Sequence, residues 1–363
     1  MKMKETISKY QIVYEEMKKE IVSGRMAQGE KMPSELQLME QYGFSRQTIR
    51  KALEELTKDG YVHKVQGSGS FVKSSRIGEK NSKTIMFIAL FAQHYFFSQY
   101  IAGVESVLKE NDYALNITFS DNRPEDEARC LEDAIEKGYA GILLVPARSA
   151  CIYANLYLYK KIRQLRIPCI TLGGQLPYSG FPCVIMDDYE GGKMAAKYLI
   201  AKGHSRIASI MNRTECSGCM RYAGYQSALM EAGIKEEPGW AQWYEYETFQ
   251  DFLENEELIG SCLSKVTAVF CFNDEMALGI IELLKKQGIR VPEDMSVMGY
   301  DDSYMCMFGE KKLTSIRQEP VEQGERAAMN LLQLIKNPNS GADTFFEPSL
   351  VERETVRDLQ KSY

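Results

Sequence analysis

Apolar residues recur every three or four positions through the first sixty residues, then every second position, then in short unbroken runs. Residues 8–23 place Ile12, Val13, Met17 and Ile21 on one helical face. Ser23-Gly24 ends that helix, and Gly29 marks a turn before Pro33. Ser34 is placed to N-cap a two-turn helix carrying Leu36, Leu38 and Met39, and Gly43 can take the positive φ that stops it. Behind a second cap, Ser45, the residues Ile49, Ala52, Leu53 and Leu56 fall at i, i+3, i+4 and i+7, one buried stripe. Two short helices joined at a glycine read as a helix-turn-helix. After Gly60 the period drops to two. Tyr61–Val65 and Ser70–Val72 flank Gln66-Gly67-Ser68-Gly69, a hairpin with a small tip suited to a minor groove.

The stripe leaves Arg46, Gln47, Thr48, Arg50 and Lys51 outside, in the first two turns of the second helix. Arginine pairs bidentately with guanine and glutamine with adenine, and helix-turn-helix proteins read bases with the start of this helix. The same exposed residues also fit a solvated helix face. Lys4 and Lys9 either reach phosphates or belong to a solvated tail. The ordered run P-S-E-x-x-L, S-R-x-T-I-R-K-A-L and Q-G-x-G-x-F-V resembles the winged helix-turn-helix of the GntR family of bacterial transcription regulators. The resemblance implies base or phosphate contacts by Arg46 and Arg50, readout aided by Glu35 and Gln47, and Gln66 with Gly67 in the minor groove. It covers about residues 6–74 and places a DNA-binding head at 1–74; residues 75–83, polar and without apolar period, read as a linker.

From Thr84 short apolar runs alternate with helical stretches. Expected strands are 85–91, 114–118, 142–145, 168–172, 184–186, 207–210, 268–272 and 296–299. Expected helices are 99–111, 125–137, 190–202, 220–232 and 274–287. Unbroken apolar strands between helices mean parallel sheet covered on both faces, either one barrel or two doubly wound lobes. The set Val184-Ile-Met-Asp-Asp-Tyr-Glu-Gly-Gly, Met220-Arg-Tyr-Ala-Gly-Tyr, Phe272-Asn-Asp-Glu-Met-Ala, Val291-Pro-Glu-Asp-Met-Ser and Leu313-Thr-Ser-Ile-Arg-Gln is similar to the effector domain of the LacI family. This implies an α/β body over 84–363, two periplasmic-binding-protein-like lobes with parallel sheets and a small molecule between them. A GntR-type head on a LacI-type body is the arrangement of arabinose repressors of Gram-positive bacteria, which implies a homodimer on a palindromic double-stranded DNA operator.

Ligands of open α/β sheets lie at the carboxyl ends of the strands. There the resemblance puts Arg221, Asn273 and Asp301 as ligand residues of a small carbohydrate, with Tyr95, Phe97, Arg148 and Gln318 beside them. His94 to Phe97 are expected in a loop after the first strand, and Arg221 is expected to open the helix after a Cys216–Cys219 loop. Asp274 is expected as an N-cap and Asp302 as a cap for the segment after it. Trp240 and Trp243 fall in an unassigned stretch, with surface packing expected. Arabinose repressors carry a glutamate where this chain has Val145, so the resemblance implies a changed sugar contact there.

Composition narrows the picture. Residues 1–76 hold 14 Lys and Arg against 10 Asp and Glu, while the remainder holds 30 against 40. A mildly basic head on an acidic body fits one domain on nucleic acid and one elsewhere. The longest apolar run, Ile85 to Ala92, is too short to span a membrane, and no signal segment opens the chain, so a cytoplasmic location is expected. Nine cysteines, an odd number within apolar runs, fit reduced thiols. The lone Cys216-x-x-Cys219 lacks a second ligand pair for zinc, leaving a thiol sensor as the rival use. His63, His94 and His204 form no triad spacing, so no enzyme, cofactor or metal is expected.

Overall fold

The computed structural model describes residues 8–22, 25–27, 29–65, 67–72, 83–151, 155–341 and 343–360. In the head, α1 (Lys9–Val22), α2 (Glu35–Tyr42) and α3 (Arg46–Lys58) close over one core with the strands β1 (Val62–Val65) and β2 (Gly69–Val72). Ser34 accepts from the Gln37 N–H while the Gln37 side chain accepts from the Ser34 N–H, a reciprocal capping box. Gly43 ends α2 at φ 68°, a left-handed turn that places α3 at an angle to α2. Ser45 caps α3, whose Ile49, Ala52, Leu53 and Leu56 are buried with Val13, Met17, Ile21 and Leu38. Such helices are marginal alone, and each buried aliphatic side chain contributes about 1.5–3 kcal/mol toward holding them. β1 and β2 pair antiparallel from Val62 opposite Val72 to Val65 opposite Gly69. Gln66, assigned to the hairpin tip by the sequence, lies outside the described residues.

The body is two lobes, not a barrel. The first is built on β3 (Thr84–Ala89), β4 (Ala114–Phe119), β5 (Gly141–Leu144), β6 (Cys169–Leu172) and β7 (Cys183–Met186), with α4 (Tyr95–Glu110), α5 (Pro124–Lys137) and α6 (Leu156–Gln164) between them. The second holds β8 (Ile207–Asn212), β9 (Ala241–Tyr244), β10 (Ala268–Cys271), β11 (Ser296–Asp301) and β12 (Thr314–Arg317). Its helices are α7 (Asp188–Ala201), α8 (Cys216–Glu231), α9 (Phe249–Glu254), α10 (Glu256–Leu263) and α11 (Asp274–Lys286). The helix α12 (Pro320–Lys336) returns to pack on α4. The strands β13 (Thr344–Phe346) and β14 (Ser349–Val351) then complete one sheet each. The orders are β13-β7-β6-β5-β3-β4 and β14-β12-β11-β10-β8-β9, parallel except for the β12–β14 pair. The chain crosses between lobes after β7, after β12 and between β13 and β14. Each sheet reverses order beside its first strand, β3 or β8, and these switch points face the cleft. Among the described residues no helix is long and apolar enough to cross a membrane.

In the second lobe α7 and α8 touch backbone to backbone. A Cβ on Gly192 would lie 1.9 Å from the Arg221 carbonyl oxygen, and one on Gly224 1.9 Å from that of Tyr189. The contact fixes where Arg221 leaves α8. Gly192→Ala must push the helices apart, and we expect it to cost about 1–3 kcal/mol by urea denaturation, the usual range for overpacking. An unchanged midpoint would contradict this close packing.

Several sequence expectations are corrected. His94 to Phe97 are not loop: His94 caps α4 and Tyr95 begins it. Cys216 to Cys219 form the first turn of α8, so Arg221 sits in its second turn. Asn273, not Asp274, caps α11; the buried Asp274 carboxylate instead accepts from the Ser303 N–H, the Cys306 thiol and the Ser315 hydroxyl. Asp302 makes ion pairs with Arg317 at 2.7 Å and Arg353 at 2.5 Å rather than capping a helix. Trp240 is core, not surface, and Trp243 packs partly buried against that core.

Candidate functional site

The head presents its predicted face. A surface groove is lined by Lys9, Tyr10, Gln47, Thr48, Arg50 and Lys51, with Glu54 and Glu55 at its edge. Arg46 is 75% exposed at the start of α3, and its Nε donates to Glu35 Oε2 at 2.8 Å. That guanidinium holds the Glu35 carboxyl below its ordinary pKa. Glu35 thus aims Arg46 and leaves the rest of its donor fork outward. Arg50 pairs loosely with Glu54 at 3.4 Å, both well exposed. Gly67 turns the hairpin at φ 76°.

The cleft is built around Arg221. Its guanidinium lies over the rings of Tyr300 and Phe272, at 3.6 and 4.6 Å. Nε donates to Asp188 Oδ1 at 2.8 Å and a terminal nitrogen donates to the Phe272 carbonyl at 2.5 Å, with Asp301 3.9 Å away. Burial alone would lower its pKa, but Asp188, Tyr300 and Asp301 more than offset this, so the charge is secure. Asp301 accepts from Gln318 Nε2 at 2.7 Å and from the Tyr95 hydroxyl of the other lobe. Burial pushes the Asp301 carboxyl up while Arg221 opposes the shift. Asn273 spends its Oδ1 on the Met276 N–H, which leaves its amide NH2 for a ligand.

A cavity of about 50 Å³ lies against these groups. Of the predicted ligand residues, Phe97, Arg221, Asn273, Asp301 and Gln318 line it. Tyr95 stands beside it through Asp301 and lines an adjoining crevice. Arg148 is at the rim, paired across the cleft with Glu245 at 2.8 Å and Glu247 at 3.1 Å. The walls are unequal. The first lobe offers Leu90, Phe96, Phe97, Tyr100 and Val145 with His94 as its polar side chain, while Asp188, Glu215, Ser217, Asn273 and Gln318 come from the second lobe and the crossings. Sequence reasoning missed Asp188, Glu215, Ser217 and Tyr246. Asp188 is the second aspartate of the Ile185-Met186-Asp187-Asp188 run, so a crossing recognised there would have pointed to it.

The lobes are also joined directly. Ser149 Oγ donates to Glu215 Oε2 at 3.2 Å, and the Ala150 N–H donates to the Thr214 carbonyl at 3.0 Å. With Tyr95–Asp301 and Arg148–Glu245, these bonds hold the cleft shut along its mouth.

Comparison with known proteins fixes the kinship. Residues 9–72 match the family of bacterial regulatory proteins of the gntR type, and residues 196–356 match the periplasmic binding protein-like domain. The arabinose metabolism transcriptional repressor of Geobacillus stearothermophilus is 32% identical over 371 residues, covering 98% of this chain and all of that protein. The chain belongs to the GntR-type transcriptional regulators with a LacI-type body. A second arabinose metabolism repressor, from Halalkalibacterium halodurans, is 30% identical across 97% of this regulator and 98% of its own length. The solved structure of the transcriptional regulator CelR in complex with cellobiose superposes at a TM-score of 0.69, covering 93% of this regulator and 94% of that chain. At 22% identity it shows the fold of the regulator, head included.

Proposed function

We propose that this regulator is a repressor whose effector is a small neutral sugar held against Arg221, with L-arabinose the first candidate. The carrying observation is the composition of the cavity. Carboxylate, amide and hydroxyl groups face an aromatic and aliphatic wall. Each sugar hydroxyl both donates and accepts, and the C–H face of the ring suits an apolar wall. The names of the two relatives above support arabinose. Val145 lines the cavity, so the wall that would bear a glutamate gives the sugar no acceptor.

The ligand is uncharged. Arg221 is engaged by Asp188 and the Phe272 carbonyl, and burial holds His94 near a pKa of about 4, neutral at pH 7. A phosphate would meet Asp188, Glu215 and Asp301 with no free cation lining the cavity among the described residues. The protein acts by binding alone, in the cytoplasm, without cofactor. As a homodimer it places two heads on a palindromic operator. The sugar favours one arrangement of the lobes and so one spacing of the heads. Such coupling is typically about 1–3 kcal/mol, a shift in operator affinity of roughly 5–150-fold.

The test is thermal unfolding of the purified protein against L-arabinose, other pentoses and hexoses, and their phosphates. A ligand at a hundred times its dissociation constant adds about 2.7 kcal/mol of stability. Neutral sugars should raise the melting temperature and their phosphates should not. A shift confined to phosphorylated sugars would overturn the neutral-ligand reading. No shift with any sugar would overturn the effector class.

A further inference from the structure

We propose that Glu215 sets the sugar specificity of this cleft, its free Oε1 accepting a hydrogen bond from one ligand hydroxyl. This rests on the neutral-sugar reading above and extends it to a residue and a contact.

Glu215 lies between β8 and α8, 6% exposed, on the cavity wall. Its position is the N-cap of α8, where an acceptor side chain ordinarily folds back onto the first free N–H groups. It makes no such bond. The carboxylate is turned away from the helix. Its Oε2 is held by Ser149 from the opposite lobe at 3.2 Å. Ser149 Oγ also accepts the Cys216 N–H at 2.8 Å, and its own proton goes to Glu215. Oε1 has no hydrogen-bond partner among the described residues. An acceptor left buried and unpaired is costly, and a donor arriving with the ligand removes that cost.

The surroundings select the donor. Burial is the largest influence on this carboxyl and lifts its pKa to about 7; the Ser149 hydrogen bond, Arg221 and Arg148 draw it toward the ionised form and Glu247 opposes them. Asp188 and Asp301 on the same cavity also repel a second anion. Leu90, Phe97 and Val145, on the first-lobe wall, have no acceptor to offer. A hydroxyl directed at Glu215 Oε1 therefore meets a hydrogen-bond acceptor, and an epimer that directs a C–H there leaves the acceptor unpaired. Discrimination between epimers follows from that difference. The Ser149 bond also ties the contact to closure, since the same carboxylate touches ligand and opposite lobe.

The experiment is calorimetric titration of the full-length protein with L-arabinose, D-xylose, D-ribose and the monodeoxy analogues of whichever binds best. Wild type is compared with Glu215→Gln and Glu215→Leu. Gln keeps the shape and loses the charge, and at pH 8, where the carboxylate form prevails, should weaken the best sugar about tenfold, since a charge-assisted bond is roughly twice as strong as a neutral one. Leu removes the acceptor. It should weaken the best sugar by about a hundredfold or more while binding the matching deoxy analogue as well as the parent. If both variants keep the wild-type ranking and lose affinity equally for every sugar, Glu215 is structural and the proposal falls alone. If Leu does not fold, the ranking in Gln decides by itself. If wild type binds no sugar at all, the effector reading falls and this proposal falls with it.

Discussion

Arg221→Ala should leave a protein that ignores its effector and is less stable by about 3–5 kcal/mol, the range seen when one partner of a buried ion pair is removed. The guanidinium is 5% exposed, sits between two rings, and bridges Asp188 to the Phe272 carbonyl. Alanine strands the buried Asp301 carboxylate, the largely covered Asp188 carboxylate and a carbonyl together. The loss should depend on pH in a definite direction. Without the cation, the folded-state pKa of Asp301, which Arg221 now holds down against burial, rises further above its unfolded value. A group raised in this way supports folding below its unfolded pKa, and that support is lost as pH rises through the folded pKa. The Asp301 carboxyl is already pushed up by burial in the presence of Arg221. The variant should therefore be closer to wild type at pH 5.5 than at pH 8. Urea denaturation at both values reads this. Arg221→Lys keeps the charge but not the fork, so it should recover part of the stability without the effector response. A variant as stable as wild type at pH 8 would show that Arg221 is not the centre of this network.

The sequence carried these features unequally, for physical reasons. Caps and short periods are local, so Ser34, Gly43, Ser45 and the α3 stripe were legible to the residue. Central strands of parallel sheets are buried on both faces, so β3, β5 and β10 stood out as apolar runs. Edge strands are half polar and depend on distant partners. β9, with Gln242 and Trp243 only partly buried, lay in a stretch the sequence left unassigned, and β8 supplies its pairing. β13 and β14 are three residues each, and exist because β7 and β12 lie alongside. The motif-bearing cleft residues Arg221, Asn273 and Asp301 were found because they sit in recognisable runs. Glu215 sits in none, and its burial follows only from the approach of Ser149, 66 positions earlier. Arg148 could be placed near the cleft, but nothing local indicates that Glu245 and Glu247 wait across it.

Arg46→Ala should remove operator binding while leaving the effector-induced thermal shift unchanged. Arg46 starts α3, mostly exposed, with a carboxylate from α2 holding one side of its fork. A bidentate arginine–guanine contact is worth about 1–3 kcal/mol of discrimination, and the homodimer proposed above would make it twice. The loss in specific affinity should then be about 30-fold to 10⁴-fold by mobility shift at fixed salt. Lys9→Ala should behave differently. A lysine on a phosphate adds affinity without sequence preference, so its removal should weaken all DNA alike and lower the salt slope by about one per site. Glu35→Ala should fall between them: Arg46 keeps its charge but loses its anchor, so specificity drops more than total affinity. The pattern across the three variants matters more than any one value. Equal losses on operator and random DNA for Arg46→Ala would make it a phosphate contact. A change in sugar affinity in any of the three would mean that head and body are not separable binding units.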